Sequence, residues 1–95
     1  MTAYLIVDLD VEDLSALDDY RRQASPILVK YGGRMLVRPV SAEVLEGDWT
    51  PKRLMVLEFE TMEALERWWT SEDYHPLKPL RQRVSKASVV AVNGV

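Results

Sequence analysis

The sequence predicts an α+β domain in which a four-stranded antiparallel sheet carries two helices on one face. Apolar runs of strand length alternate with segments whose apolar residues recur every three or four positions. Their order is strand, helix, strand, strand, helix, strand, which is the split βαβ arrangement. The chain has 95 residues with no internal repeat and no low-complexity linker. We therefore expect residues 1–95 to form one domain.

The first strand and the first helix have clear signals. Residues 3–9 (AYLIVDL) form an apolar run of strand length. Asp10 or Asp13 can cap the following helix, because a short carboxylate accepts from the free N–H groups of a first turn. Apolar residues then recur at helical spacing, and Pro26 is expected to kink the helix. Gly32-Gly33 predicts its end.

The rest of the chain supplies three strands and the second helical region. Residues 34–40 (RMLVRPV) predict a strand. Because proline cannot donate to a ladder, Pro39 indicates that this strand lies at a sheet edge or ends there. The second helix starts after Thr61 and continues, beyond an interruption at Ser71, as a short helix. The remaining predicted elements are strands over 53–60 and 87–92 and the short helix over 77–84.

Both faces of the predicted sheet are apolar. A sheet with helices on one face and water on the other should alternate apolar and polar residues. The third strand instead places Leu54 and Val56 on one side and Met55 and Leu57 on the other, and the first and last strands behave alike. Two helices cover only one face, so the sequence predicts a homodimer whose sheets pack face to face. The alternative is a monomer with a few exposed aliphatic residues.

Composition excludes several kinds of site and partner. The chain has no cysteine, which excludes disulfides and thiolate sites and makes the cytoplasm the simplest location. A single histidine argues against a metal centre, and no cofactor is indicated. The net charge is −3 with scattered basic residues, which argues against nucleic-acid binding. No signal peptide and no membrane-spanning run is expected.

Four motifs in order resemble one known family over nearly the whole chain. They are Pro26-x4-Tyr31-Gly32-Gly33-Arg34, Leu45-Glu46-Gly47-x-Trp49, Glu58-Phe59, and Trp68-Trp69-x-Ser71-x2-Tyr74 with Arg81. Together they resemble the domain of unknown function 1330 family. The resemblance implies the ferredoxin-like fold of the dimeric α+β barrel superfamily, which includes cofactor-free monooxygenases, lactone isomerases and haem-binding enzymes. It implies no specific activity, because the family has none established.

Two residues are candidates for acid–base chemistry. His75 is the only side chain with an ordinary pKa near neutrality, so it is a candidate general base, and the alternative is a surface histidine in a turn before Pro76. Glu58 shares a strand face with apolar residues and would need a cation such as Arg34 if it is buried. Its alternative is a structural ion pair.

Large rings and polar tips supply the candidate ligand contacts. Glu46 and Trp49 lie in a turn, where the indole can close a pocket or cover the dimer seam. Trp68 and Trp69 are adjacent on a helix, so one should pack inward and the other near a rim. The candidate ligand-binding residues are Tyr4, Arg34, Glu46, Trp49, Trp68, Tyr74 and Arg81.

These residues support two hypotheses about function. The first is a small-molecule pocket between helices and sheet, with which the protein could act as a cofactor-free enzyme on a small organic or aromatic metabolite. Arg81 or Arg34 would then pair with a carboxylate. The second is a non-catalytic dimeric binding or structural module, since each candidate residue also has a credible structural role.

Overall fold

The elements follow the predicted order, with the second helical region split into two helices. The computed structural model describes residues 1–95, except for the side chains of Pro39 and Val40. The elements are β1 (Ala3–Val11), α1 (Leu14–Lys30), β2 (Arg34–Val40), β3 (Leu54–Phe59), α2 (Met62–Trp69), α3 (Leu77–Val84) and β4 (Ser85–Asn93).

The four strands form one antiparallel sheet in the order β2-β3-β1-β4. The order confirms the ferredoxin-like topology and places β2, with its proline, at an edge. β1 and β4 are longer than predicted, because their pairing continues beyond Leu9 and Ala87 to Val11 and Ser85. The polar pair Asp10 and Lys86 interrupts the apolar pattern there, so the sequence pattern underestimates both strands.

One face of the sheet carries the helices and the hydrophobic core. Along β1, the residues on that face are almost fully buried, while their neighbours on the opposite face are partly exposed. Phe59 and Leu57 of β3 extend the core, and Leu65 and Trp68 of α2 pack onto it. The molecule measures 35 × 34 × 16 Å, so it is one sheet layer and one helix layer thick. In the part of the chain that the structure describes, no helix packs on the second face of the sheet.

The Asp13 side chain marks the start of α1, and two glycines mark its end. The Asp13 carboxylate accepts from the Ala16 N–H at 3.2 Å, so Asp13 is the cap and Asp10 is not. At the other end Gly32 adopts a positive φ of 82°, which favours glycine. The N–H groups of Gly32 and Gly33 donate to the carbonyls of Val29 and Leu28, which closes the helix with a Schellman motif.

Gly33 has a second role that its position after a helix does not predict. A Cβ atom at Gly33 would lie 2.7 Å from the ring of Phe59, which is fully buried. We expect Gly33→Ala to lower the free energy of unfolding by about 1–3 kcal/mol, because the ring has no free volume to move into. Urea denaturation measures the change. An alanine variant that unfolds at the wild-type urea concentration would contradict this close packing.

Within the part of the chain that the structure describes, no helix has both the length and the apolar character needed to cross a membrane.

Candidate functional site

A cavity lies between α1 and the helix-covered face of the sheet. Its volume is about 60 Å³, and most of its wall is aliphatic. We call it the inter-layer cavity. Four large side chains among its lining residues carry polar groups. They come from α1, from α2, from the turn after α2 and from α3. These are Tyr20, Trp68, Tyr74 and Arg81.

Two tyrosine hydroxyls form a hydrogen bond in the cavity wall. The Oη atoms of Tyr20 and Tyr74 lie 2.7 Å apart. The Tyr74 ring stacks on Trp68 with centroids 4.3 Å apart, and Tyr74 is only 2% exposed. Burial, followed by the neighbouring Tyr74, raises the pKa of the Tyr20 hydroxyl above its ordinary value. Tyr20 therefore stays neutral and can serve as a hydrogen-bond donor.

The raised pKa of Tyr20 predicts a loss of stability at alkaline pH. The unfolded hydroxyl ionises above its ordinary pKa of 10.0, whereas the folded hydroxyl keeps its proton. Stabilisation from Tyr20 is thus complete below pH 10.0 and declines as the pH rises toward the folded pKa. We expect wild type to lose up to about 1.4 kcal/mol more per pH unit than Tyr20→Phe in this range. Urea denaturation between pH 9 and 11, at about unit steps, measures the free energy of unfolding of both proteins. If this free energy fell equally with pH in wild type and Tyr20→Phe, the prediction would be wrong.

Arg81 is a buried cation with no counter-ion among the described residues. It lies in the last turn of α3 and is 6% exposed. Among the residues that the structure describes, none accepts a hydrogen bond from its Nε or forms an ion pair with it. The guanidinium carbon lies 6.0 Å from the centre of the Trp69 ring, a weak cation–π contact. Because a buried charge normally requires a partner, Arg81 is the most unusual group of the cavity.

The indole of Trp68 is the second donor without an acceptor. Trp68 is 3% exposed, and no described atom of the chain accepts from its Nε1–H. One tryptophan of the pair was predicted to pack inward. The structure shows that it is Trp68, and Trp69 lies partly exposed beside it. Buried indole N–H groups usually have a partner, so the cavity wall presents unused donor capacity at this point.

A second cation lies near Arg81. The Nζ atom of Lys78 is 4.2 Å from the centre of the Trp69 ring. Burial, and then repulsion by Arg81, lowers the pKa of Lys78. Arg81 therefore supplies a positive charge to the cavity wall on the α3 side, and Lys78 adds a second positive charge near it, although Lys78 does not line the cavity.

Ser71 and His75 shape the turn between α2 and α3. The Ser71 hydroxyl donates to the Trp68 carbonyl at 2.8 Å and accepts from the Tyr74 N–H at 3.1 Å. Ser71 therefore closes this turn, whereas Pro76 occupies the cap position of α3. His75 is exposed and does not line the cavity, and its backbone N–H donates to the Ser71 carbonyl. The position of His75 is that of a surface turn residue.

Glu58, Arg34 and Tyr4 lie on the opposite face of the sheet from the cavity. Glu58 alternates with the buried Leu57 and Phe59, and it pairs with Tyr4 and Arg34 on the neighbouring strands. Arg34 donates to Glu58 at 2.8 Å, which is one of the ion pairs expected from the sequence. The structure thus divides the predicted cluster, because the sheet separates these residues from Trp68, Tyr74 and Arg81.

The loop before β3 is hydrogen-bonded to the face of the sheet opposite the helices. The Trp49 indole donates to Asp8 at 3.1 Å, and the backbone N–H of Lys52 donates to the other oxygen of that carboxylate at 2.9 Å. Trp49 is still 60% exposed, and Glu46 is exposed. Neither residue lines the cavity. Asp8 was not predicted from the sequence, because a single acid in an apolar strand gives no sign that a distant loop will bind it.

Tyr20 and Arg21 line the cavity but are absent from the candidate site predicted from the sequence. Tyr20 belongs to the apolar stripe of α1, and its apolar ring with a hydroxyl tip suits either a pocket or a rim. Among the side chains that the structure describes, no group of three His, Cys, Asp or Glu could hold a metal ion.

Comparison with known proteins identifies the family of the chain. The model of the family described as Domain of unknown function (DUF1330) matches residues 2–95. The chain belongs to this family. Among curated proteins, no sequence matches the DUF1330 chain.

Solved structures confirm the fold of this DUF1330 chain. RPA0582, a protein of unknown function from Rhodopseudomonas palustris, is 13% identical with a TM-score of 0.79, over 99% of this chain and 82% of that one. SnoaB, a cofactor-independent oxygenase from Streptomyces nogalater, is 8% identical with a TM-score of 0.72, over 99% and 93%. A dimeric ferredoxin-like protein of unknown function from Jannaschia sp. is 15% identical with a TM-score of 0.65, over 99% and 100%. At these identities the likeness establishes the ferredoxin-like fold alone.

Proposed function

We propose that this protein binds a small organic molecule in the inter-layer cavity. The observation that carries the proposal is the pair of buried donors, Trp68 Nε1 and Arg81 Nε, without an acceptor among the described residues. Both residues line the cavity. Apolar walls with a few polar groups at one side are the usual design of a small-molecule site, and a bound ligand would supply the missing acceptors.

A thermal-shift screen with a library of small organic acids, amides and phenols tests this proposal. A ligand at 100 times its Kd should add about 2.7 kcal/mol to the free energy of unfolding. A hit is assigned to the cavity by Leu17→Phe, since Leu17 lines it and the larger ring would fill part of its volume. Val29→Phe is the matched control, because Val29 is 71% exposed and does not line the cavity. A hit that binds the Leu17→Phe variant as tightly as wild type would contradict the proposal.

Cofactor-free catalysis on the bound molecule is the second candidate function. Two observations favour it: the similarly folded SnoaB is a cofactor-independent oxygenase, and the cavity donors could stabilise an oxygen atom on which negative charge develops. His75 and Glu58 stay predictions as catalytic residues, although neither lines the cavity. Mass spectrometry of each hit after incubation with the protein in air, without added metal or cofactor, tests for turnover. Binding without turnover would favour the non-catalytic module.

We propose in addition that the uncovered side of the sheet is a homodimer interface. We call it the open face, and its apolar residues come from all four strands. Exposed apolar surface of this extent usually marks an interaction site. The similarly folded Jannaschia protein is dimeric, which supports a second copy of this chain as the partner. The apolar residues of the open face are Tyr4, Ile6, Val37, Leu54, Val56, Val90 and Val92.

A further inference from the structure

We propose that the ligand of the inter-layer cavity carries a carboxylate, which the Arg81 guanidinium and the Trp68 indole N–H bind. This inference rests on the binding function proposed above and names the chemical class of the ligand. It follows from the donors, the charge and the size of the cavity, each of which is a separate observation.

The first observation is an excess of hydrogen-bond donors over acceptors. Arg81 Nε and Trp68 Nε1 both lack an acceptor among the described residues. The Tyr20 and Tyr74 hydroxyls use one proton between them, so the other proton of this pair is free to donate. No aspartate or glutamate is among the residues that line the cavity. The ligand must therefore bring acceptors, and a carboxylate brings two oxygen atoms that only accept.

The second observation is the sign of the charge around the cavity. Arg81 is almost completely buried, and Lys78 lies close enough for Arg81 to lower its pKa. Arg21 also lines the cavity, and its one carboxylate partner, Asp18, lies 3.8 Å away at an exposed position. In a site with little water, a cation of this kind attracts an anion more strongly than it does on the surface. A neutral ligand would leave this charge uncompensated.

The third observation is the size and the opening of the cavity. A water molecule needs roughly 10–15 Å³ of such space, so about four to six atoms of that size fit in the cavity. This volume suits a carboxylate with up to three further carbons, in contact with aliphatic walls. Ser25 and Met35 both line the cavity and are exposed, so the cavity opens to solvent between α1 and β2. The far end of a longer ligand could extend through this opening.

Isothermal titration with matched acids and amides tests the inference on the wild-type protein. The probes are isobutyrate against isobutyramide and propionate against propionamide, at constant ionic strength. Each amide keeps the shape of its acid and loses the charge. We expect each acid to bind at least about tenfold more tightly than its amide, because hydrogen bonds between charged groups are the stronger ones. Equal affinities would overturn the carboxylate proposal while leaving cavity binding intact. If neither member of either pair binds, the carboxylate proposal fails together with binding of such molecules in the cavity.

Two substitutions at Arg81 assign the preference to its guanidinium. Arg81→Met should remove the preference for acids, and Arg81→Lys should weaken acid binding about tenfold, since it keeps the charge but loses the planar donors. Arg83→Met is the matched control, because Arg83 lies on the exposed side of the same helix. A preference for acids that survives Arg81→Met would overturn the proposal. If that variant does not fold, the comparison of acids with amides on the wild type and the acid affinity of Arg81→Lys still test whether the guanidinium binds a carboxylate.

Discussion

Arg81→Met is expected to raise the free energy of unfolding in ligand-free buffer by about 1–4 kcal/mol. Methionine keeps much of the length and apolar character of the arginine stem, and it removes a cation that has no ion-pair partner among the described residues. Replacing buried ionic groups with apolar ones of similar volume often stabilises a protein. Arg81 would therefore lower the stability of the free protein, and a bound carboxylate would supply the ion-pair partner that it lacks among the described residues. This combination is expected of a residue kept for binding.

Chemical denaturation with and without isobutyrate measures both effects. Without isobutyrate, Arg81→Met should be the more stable protein, and with isobutyrate the wild type should gain stability that the variant does not gain. Arg83→Met should stay within about 0.5 kcal/mol of wild type, as exposed substitutions usually do. A loss of more than about 1 kcal/mol in Arg81→Met without ligand would instead assign the guanidinium a structural role.

Ile6→Asp is expected to halve the mass of the protein in solution. Ile6 lies opposite Val56 in the central strand pair of the open face, so the substitution places a carboxylate in the middle of the proposed interface. In the dimer this carboxylate would be buried in an apolar interface without a counter-ion, which is strongly unfavourable. In the monomer the position is partly exposed, so the fold itself should tolerate the charge.

Light scattering at micromolar concentration measures the mass. Val29→Asp is the matched control, since it makes the same kind of change at an exposed position of α1 on the other side of the molecule. We expect this control to stay dimeric. A wild-type chain that is monomeric under these conditions would contradict the dimer, and so would an Ile6→Asp variant that keeps the dimer mass.

The fold could be predicted from the sequence because local signals agree with one another. Strand-length apolar runs, the Asp13 cap and the glycine stop each set an element, and their order specifies the topology. The apolar character of both sheet faces was also visible, because alternate residues of a strand point to opposite faces. The close approach of Gly33 to Phe59 could not be predicted, because it depends on how two elements pack.

The candidate site could be predicted only in part. Trp68, Tyr74 and Arg81 line the cavity, whereas Glu58, Tyr4 and Arg34 lie on the open face. The sequence places Glu58 on the face of Val56 but does not say which face the helices cover. Tyr20 joins the cavity because α1 packs over the sheet opposite Tyr74, and this pairing across 54 positions leaves no local signal.

The most direct test of ligand binding in the cavity is an NMR titration with isobutyrate that follows side-chain N–H signals. The signals are the indole Nε1–H of Trp68 and the Nε–H of Arg81, with the indole of Trp49 as an internal control because it lies on the open face. The Trp49→Phe variant assigns the control signal. We predict that the Trp68 and Arg81 signals shift together and saturate at one concentration, while the Trp49 signal stays in place. Saturable binding that leaves both cavity signals unmoved would contradict this account.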